Sequence, residues 1–403
     1  MSSMVILEKY VKQIYRCARC GWCRTPTFAD HGINKVCPVY EYHPKGPWEF
    51  FTARGRLAIA QGLLEGEIDV TKDLVEIIYS CTTCGACHEV CVIHFPVVMG
   101  VSKTDELDQV RVFEAMRAEV FKRRPDMLLE PHHRIANRVA TQRNPYGEPH
   151  DQRFEWLSDT YRPAKQGETV YFVGCTSAYR HPEIARSTIR VLSKAGLSPA
   201  IIDEWCCGST LLRTGQWDYV EELAKHNLEE LKKAGARKVV VSCAGCYRTL
   251  KLDYPEILGS KWDFEIFHAT ELMWELIEEG RLKIAKSLNQ KVTYHDPCHL
   301  GRHAGVYDPP RDIIKSIPGV EFVELTPTRQ YAMCCGGGGG VKSGFNELAL
   351  RIGIAAVKRA EGTGAKILLS ACPFCKRNLV EAIEACKAGI EFYDITEVLA
   401  KLV

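Results

Sequence analysis

Nineteen cysteines carry the chemistry this sequence advertises. Cys81, Cys84, Cys87 and Cys91 form C-x2-C-x2-C-x3-C, and Cys17, Cys20, Cys23 and Cys37 form C-x2-C-x2-C-x13-C with Pro38 next. Ten more fall into two matching sets. In one, Cys175 is followed after 30 residues by Cys206-Cys207-Gly208, and Cys243-x-x-Cys246 comes 35 residues later. In the other, Cys298 is followed after 35 residues by Cys334-Cys335-Gly336, and Cys372-x-x-Cys375 comes 36 residues later. Adjacent cysteines do not make ordinary disulfides, because a vicinal bridge is strained. Thiolates this dense repel one another unless a cationic centre stabilises them. Spacing alone demands a metal in each repeated set without saying which metal.

The first eight cysteines are more specific. Three thiolates at C-x2-C-x2-C spacing wrap one face of an iron–sulfur cubane, and a distant fourth completes it. In two-cluster ferredoxins that fourth ligand comes from the other motif. Cys17, Cys20, Cys23 and Cys91 are therefore expected to hold one [4Fe–4S] cluster, and Cys81, Cys84, Cys87 and Cys37 the other. Zinc motifs pair two C-x2-C units instead of showing such triplets. Two departures stand out: the insertion Arg24 to Val36, and Val92 where ferredoxins usually place proline.

The doubled pattern, C-x30-CCG-x34-CxxC and then C-x35-CCG-x35-CxxC, resembles the cysteine-rich CCG domain pair, and the chain as a whole resembles the D-type subunit of heterodisulfide reductase and its relatives. Cys37-Pro38-Val39-Tyr40, Arg54-Gly55-Arg56 and Asp296-Pro297-Cys298-His299 also look like that family. The resemblance implies a non-cubane [4Fe–4S] centre in each CCG domain. Cys175, Cys206, Cys207, Cys243 and Cys246 would hold one; Cys298, Cys334, Cys335, Cys372 and Cys375 would hold the other. Zinc at the first CCG site is the alternative. The implied function is an electron-transfer subunit of a redox complex, passing electrons through two cubanes to the CCG centres for disulfide reduction. The rival is a relay with no substrate of its own, serving a glycolate- or lactate-type flavin dehydrogenase or a bifurcating complex such as that of aromatic acyl-CoA reduction. The resemblance also places a catalytic histidine at His299; the matching residue of the first copy is Thr176. No flavin or nicotinamide fingerprint is present, so the two-electron donor is expected on a flavoprotein or another electron-transfer subunit. Cys386 is left over and reads as a buried thiol.

These residues need elements to position them. The expected fold class is α/β: a mostly helical ferredoxin-like domain over 1–130, a linker over 131–165, and two repeated Rossmann-like CCG domains over 166–290 and 291–403. Arg54 to Leu64 reads as a helix ended at Gly66, and Ser102 as the cap of a helix running to Arg124. The basic stretch from Lys122 to Arg143 reads as irregular and as a dock for the partner. Strands are expected at Val170–Val173, Ala200–Asp203, Lys238–Val241, Val292–His295, Val320–Leu325 and Lys366–Leu369. Parallel α/β folds gather ligands at such carboxyl ends. The run Gly336 to Gly340 lacks the direct Gly-Lys-Ser/Thr of a P-loop, since Val341 stands before Lys342-Ser343, and suits a backbone packed tightly near a cluster. Pro297 argues against one helix carrying His295, His299 and His303 as metal ligands.

Charge and hydropathy narrow the rest. The formal net charge is +2 over 403 residues, which argues against nucleic acid as a partner. No apolar stretch approaches the roughly 18 residues a spanning helix needs. The opening MSSMVILEKYVKQIYRC is too polar for a signal peptide. A cytoplasmic protein is expected, reaching a membrane only through a partner.

Overall fold

A computed structural model of the chain describes residues 6–26, 32–94, 107–157 and 163–403. They form two compact units, each gathered from separate stretches. The first takes the chain up to Arg134 with Thr210–Trp217 and Thr326–Ala356; the second takes Ile135–Ser209, Asp218–Leu325 and Val357–Val403. Packing thus cuts across the expected blocks, because the segment carrying Cys334 and Cys335 belongs with the N-terminal cysteines.

The described residues of the first unit form no strand; it is built of helices and turns. The helix Ala53–Glu65 starts where Thr52 Oγ1 accepts from Gly55 N at 3.2 Å and stops at Gly66, whose φ of 72° continues no helix. Its apolar face, Leu57, Ala60 and Leu63, joins a core with Ile14, Ile78 and Phe113. The helix Gln109–Arg123 is capped by Asp108, whose carboxylate accepts from Arg111 N at 3.0 Å. Ser102, expected as that cap, lies outside the described residues.

Arg117 is the fastening of this unit. Its guanidinium is fully buried and donates to four carbonyls: Ile78 at 2.9 Å, Cys81 at 2.6 Å, Arg213 at 2.6 Å and Gly339 at 2.7 Å. The glycine run lies against the same backbone. A Cβ on Gly338 would stand 2.7 Å from Thr82 O, and one on Gly339 2.5 Å from Cys81 O. Only glycine allows that approach, so the run ties the Cys334-Cys335 loop to the Cys81 motif within one unit.

All seven strands of the described residues lie in the second unit, in two parallel sheets. The first has β1 (Thr169–Phe172), β2 (Lys238–Val241) and β3 (Glu265–His268) in that order. The second orders β5-β4-β6-β7, from β4 (Lys291–Tyr294), β5 (Glu321–Phe322), β6 (Ile367–Ser370) and β7 (Glu391–Asp394). The inner strands are rich in β-branched, aliphatic and aromatic residues and are buried on both faces, as parallel strands require. In register, Phe172 pairs with Val241 and Val241 with His268, so Cys175 and Cys243 emerge at one edge. Tyr294 pairs with Leu369, which places Cys298 and Cys372 alike in the second sheet.

Several expectations need correction. Ala200–Asp203 is not a strand. Only Ala200 bridges to Val170, because the chain then turns so that Glu204 reaches the Val173 and Gly174 amides. Val320–Leu325 shrinks to Glu321–Phe322, since Glu324 leaves the sheet to bind Arg311. β3 and β7 add to the expected set. The segment 131–165 is not simply irregular: Glu130–Gln142 is a helix, with His132, Ala136 and Val139 buried at helical spacing. Lys122–Arg143 is therefore mostly helical.

Replacing Arg117 by Met should destabilise the first unit by on the order of 3 kcal/mol, because buried carbonyl acceptors would lose their donor. A lower denaturation midpoint with unchanged slope would show it; an unchanged midpoint would mean that solvent satisfies those carbonyls.

Candidate metal centres

In the first unit the N-terminal cysteines fall into two groups that mix the motifs. Cys17, Cys20, Cys23 and Cys91 line one pocket, with Gly21, Arg54 and Leu107 among its walls. Burial pushes the Cys23 thiol up to about 12 although the Arg54 amide opposes it, and Cys37, Cys17 and Cys20 add to the rise. Cys91 is raised by burial and by Cys17, against amides of Ile93 and His94. Cys37 sits with the other group. Burial carries it to about 11; Arg56 and the Tyr40 amide oppose, while Cys81 and Cys84 push it higher. Cys87 is raised well above its ordinary value by burial and then by Cys81 and Cys84.

Arg56 fixes the second group. It is buried, donates to Phe51 O, and donates to Ile77 O at 2.9 Å and Ser80 Oγ at 3.1 Å. Cys37 Sγ donates to the same Phe51 carbonyl at 3.4 Å. The arginine thus links the Cys37 turn to the residue before Cys81.

The first repeated set lies wholly in the second unit, and all five cysteines are buried. Each thiol is near enough to shift its neighbour: Cys206 acts on Cys175, Cys207 on Cys206, Cys246 on Cys207 and Cys246 on Cys243. Cys372 of the other copy acts on Cys243 as well, raising it. Backbone crowds the group: a Cβ on Gly174 would stand 2.9 Å from Cys246 Sγ. The Cys206 contact and burial hold Cys175 well above its ordinary value; Cys207 is pulled down by contacts with Cys206 and Cys246. Sulfurs this crowded and dry do not ionise together on their own, so the donor set fits a metal centre that supplies positive charge.

The glycine of each CCG has a definite job. Gly208 at φ 82° and Gly336 at φ 93° turn their amides back to donate to Cys206 Sγ at 3.4 Å and Cys334 Sγ at 3.3 Å. A side chain there would be strained, and the N–H···S bond offsets negative charge on the sulfur.

Of the second set, Cys298, Cys372 and Cys375 belong to the second unit, Cys334 and Cys335 to the first. All but Cys298, which is half-buried, are buried. His299 is also half-buried and packs edge-on against His303 with ring centres 4.8 Å apart; turns, not a helix, carry these histidines. Its Nδ1 is 4.0 Å from where a Cβ on Gly245 would stand. The ring therefore reaches the first copy's C-x-x-C loop as well as flanking Cys298. Cys386, expected buried, is half-exposed at a helix end.

Sequence reasoning missed Arg153 and Glu204. Both Arg153 terminal nitrogens stand 3.7 Å from Cys175 Sγ, and Nη2 donates to Glu204 Oε1 at 2.7 Å. Burial pulls the arginine down, but Cys175 and Glu204 carry it well above its ordinary value. No spacing signal marks Arg153, which lies in the stretch expected as linker.

Residues 13–95 match the family described as 4Fe-4S dicluster domain, and 169–251 and 292–380 match the Cysteine-rich domain. Together with the thiol clusters they define an iron–sulfur electron-transfer subunit. The chain is 38 % identical to the D-type subunit of dihydromethanophenazine:CoB--CoM heterodisulfide reductase from Methanosarcina barkeri, over 96 % of this chain and 93 % of the relative. It is 33 % identical to the B-type subunit of fumarate reductase (CoM/CoB) from Methanothermobacter marburgensis, over 81 % of this chain and 61 % of the relative. A hypothetical protein from Helicobacter pylori shares the fold, with a TM-score of 0.56 at 11 % identity over 89 % of this chain and 68 % of that one. The chain belongs to the family of heterodisulfide reductase D-type subunits. Among the described residues no helix is long and apolar enough to cross a membrane.

Cys91→Ala should remove the cluster bound by Cys17, Cys20 and Cys23 and leave the other N-terminal signal in the electron paramagnetic resonance spectrum. Loss of the Cys81 signal instead would overturn the crossed assignment.

Proposed function

We propose that the chain delivers electrons to a disulfide substrate, one from each of two CCG centres. Cys17, Cys20, Cys23 and Cys91 bind one cubane, and Cys81, Cys84, Cys87 and Cys37 the other. Cys175, Cys206, Cys207, Cys243 and Cys246 hold the first non-cubane centre; the family likeness assigns Cys298, Cys334, Cys335, Cys372 and Cys375 to the second. When bound, each cluster supplies one electron at a time, whereas a disulfide takes two electrons and two protons to become two thiols. The observation that carries this reading is the nearness of Cys372 to Cys243, close enough to raise the Cys243 thiol, which brings together the C-x-x-C loops of both copies. The two relatives named above, one from a heterodisulfide reductase and one from a CoM/CoB fumarate reductase, are in keeping with a thiol–disulfide couple.

Electrons enter at the Cys17 group. Cys20 is exposed, and Lys9, Lys12, Arg16 and Arg19 before it in the chain are exposed too. From Ile6 to Pro26 the sequence holds five basic residues against Glu8 alone. That face suits an acidic flavoprotein or other electron-transfer subunit better than the mostly helical Lys122–Arg143 stretch. Inside the first unit, the Gly338–Gly339 backbone against Cys81–Thr82 gives a short covalent and hydrogen-bonded route toward the Cys334-Cys335 loop.

His299 holds the proton that the leaving thiolate needs. It adjoins Cys298, reaches the Cys243–Cys246 loop, and an imidazole changes charge near neutral pH.

The purified chain with an artificial one-electron donor should reduce disulfides; retention of all clusters with no reduction of any disulfide tried would make it a relay. His299→Gln should keep its clusters and lose on the order of 100-fold in disulfide turnover at neutral pH. Turnover at the parental rate would leave His299 only a hydrogen-bonding part.

A further inference from the structure

Arg153 and Glu204 form an ion pair with almost no solvent contact: their side chains are 1 % and 2 % exposed. Burying both charges is costly, and it is offset only where every polar atom is well used. Glu204 is used fully. Besides Arg153, it accepts from Val173 N at 2.8 Å and Gly174 N at 2.7 Å, the two amides directly before Cys175. Glu204 also lies two residues before Cys206. The pair is thereby fixed to two of the five first-copy cysteines. What it presents to them is a permanent cation, with both terminal nitrogens 3.7 Å from Cys175 Sγ. The two amides account structurally for Glu204, but they do not call for a guanidinium turned onto Cys175 Sγ.

We propose that Arg153, held in place by Glu204, sets the reduction potential of the first-copy centre through its two N–H···S hydrogen bonds to Cys175. The inference rests on reading these five cysteines as iron ligands. Reduction adds one negative charge to the cluster and its sulfurs. A fixed positive charge and two donors on one sulfur stabilise that reduced state more than the oxidised one, which raises the potential. Glu204 opposes this, since its carboxylate partly cancels the guanidinium. The two residues therefore act with opposite sign on one quantity. A purely structural pair would not: breaking it from either side would loosen the site in the same way.

The test is an anaerobic redox titration of the full chain, followed by electron paramagnetic resonance, with iron and zinc measured on each sample. The first-copy signal is the one that Cys175→Ser abolishes. Arg153→Met should lower the potential of that signal. Arg153→Lys keeps the charge but loses the fork, so its potential should fall less. Glu204→Gln should raise it. The cubane signals should stay where they are in all three. Should Arg153→Met fail to retain iron, the Lys and Gln variants still carry the opposite signs. Unmoved potentials at full iron content, or shifts of one sign in every variant, would overturn the tuning role while leaving the iron assignment intact. Zinc in the parent with no signal that depends on Cys175 would overturn the iron assignment itself, and this inference with it.

Discussion

Mutual repulsion among buried sulfurs is the constraint from which the rest of this structure follows. Five cysteines of the first CCG copy are buried and close enough to shift one another, and the N-terminal eight are crowded in two groups. Thiolates in such places are unstable without a positive partner, while neutral thiols in such number would waste good packing positions. An iron–sulfur centre resolves the conflict by accepting four or more sulfurs at once. The surrounding chain then has two tasks, holding the sulfurs at fixed positions and moderating the charge they carry.

Both tasks fall largely to backbone amides and buried arginines. The CCG glycines aim N–H groups at Cys206 and Cys334. Arg56 ties the Cys37 turn to the end of the helix before Cys81, and Arg117 ties Cys81 to the glycine run beyond Cys335. Arg213 pairs with Glu114 and Arg311 with Asp296, each buried. An arginine suits these places because it keeps its charge when buried and donates several hydrogen bonds in one plane. Rigid ligation favours electron transfer, since a cluster that need not rearrange between oxidation states changes charge quickly.

Much of this was legible in the sequence because ligand chemistry is local. The triplets announced iron–sulfur ligation, and the doubled CCG pattern announced the repeat. The helix Ala53–Glu65 was foreshadowed over Arg54–Leu64 by its stop at Gly66, and β2 by its run of valines, whereas the Thr52 cap came only from the structure. Other parts depend on distant partners. Ala200–Asp203 has strand composition, yet Glu204 is drawn to the Val173 and Gly174 amides, which no local pattern foretells. β3 and β7 did leave a trace: EIFHATEL at 265–272 and EFYDITEV at 391–398 are plainly related, and both carry capping boxes, at His268 and Asp394. Comparing the two copies beyond their cysteines reveals them. Arg153 left none, because its partners lie 22 and 51 residues away.

The central claim is that four iron–sulfur centres occupy these cysteines. Metal analysis of anaerobically purified, full-length protein tests it most directly. About 16 irons per chain, with acid-labile sulfide to match and no stoichiometric zinc, is the predicted result. About 8 irons accompanied by stoichiometric zinc would contradict it, and would reduce the CCG domains to a zinc-bearing scaffold.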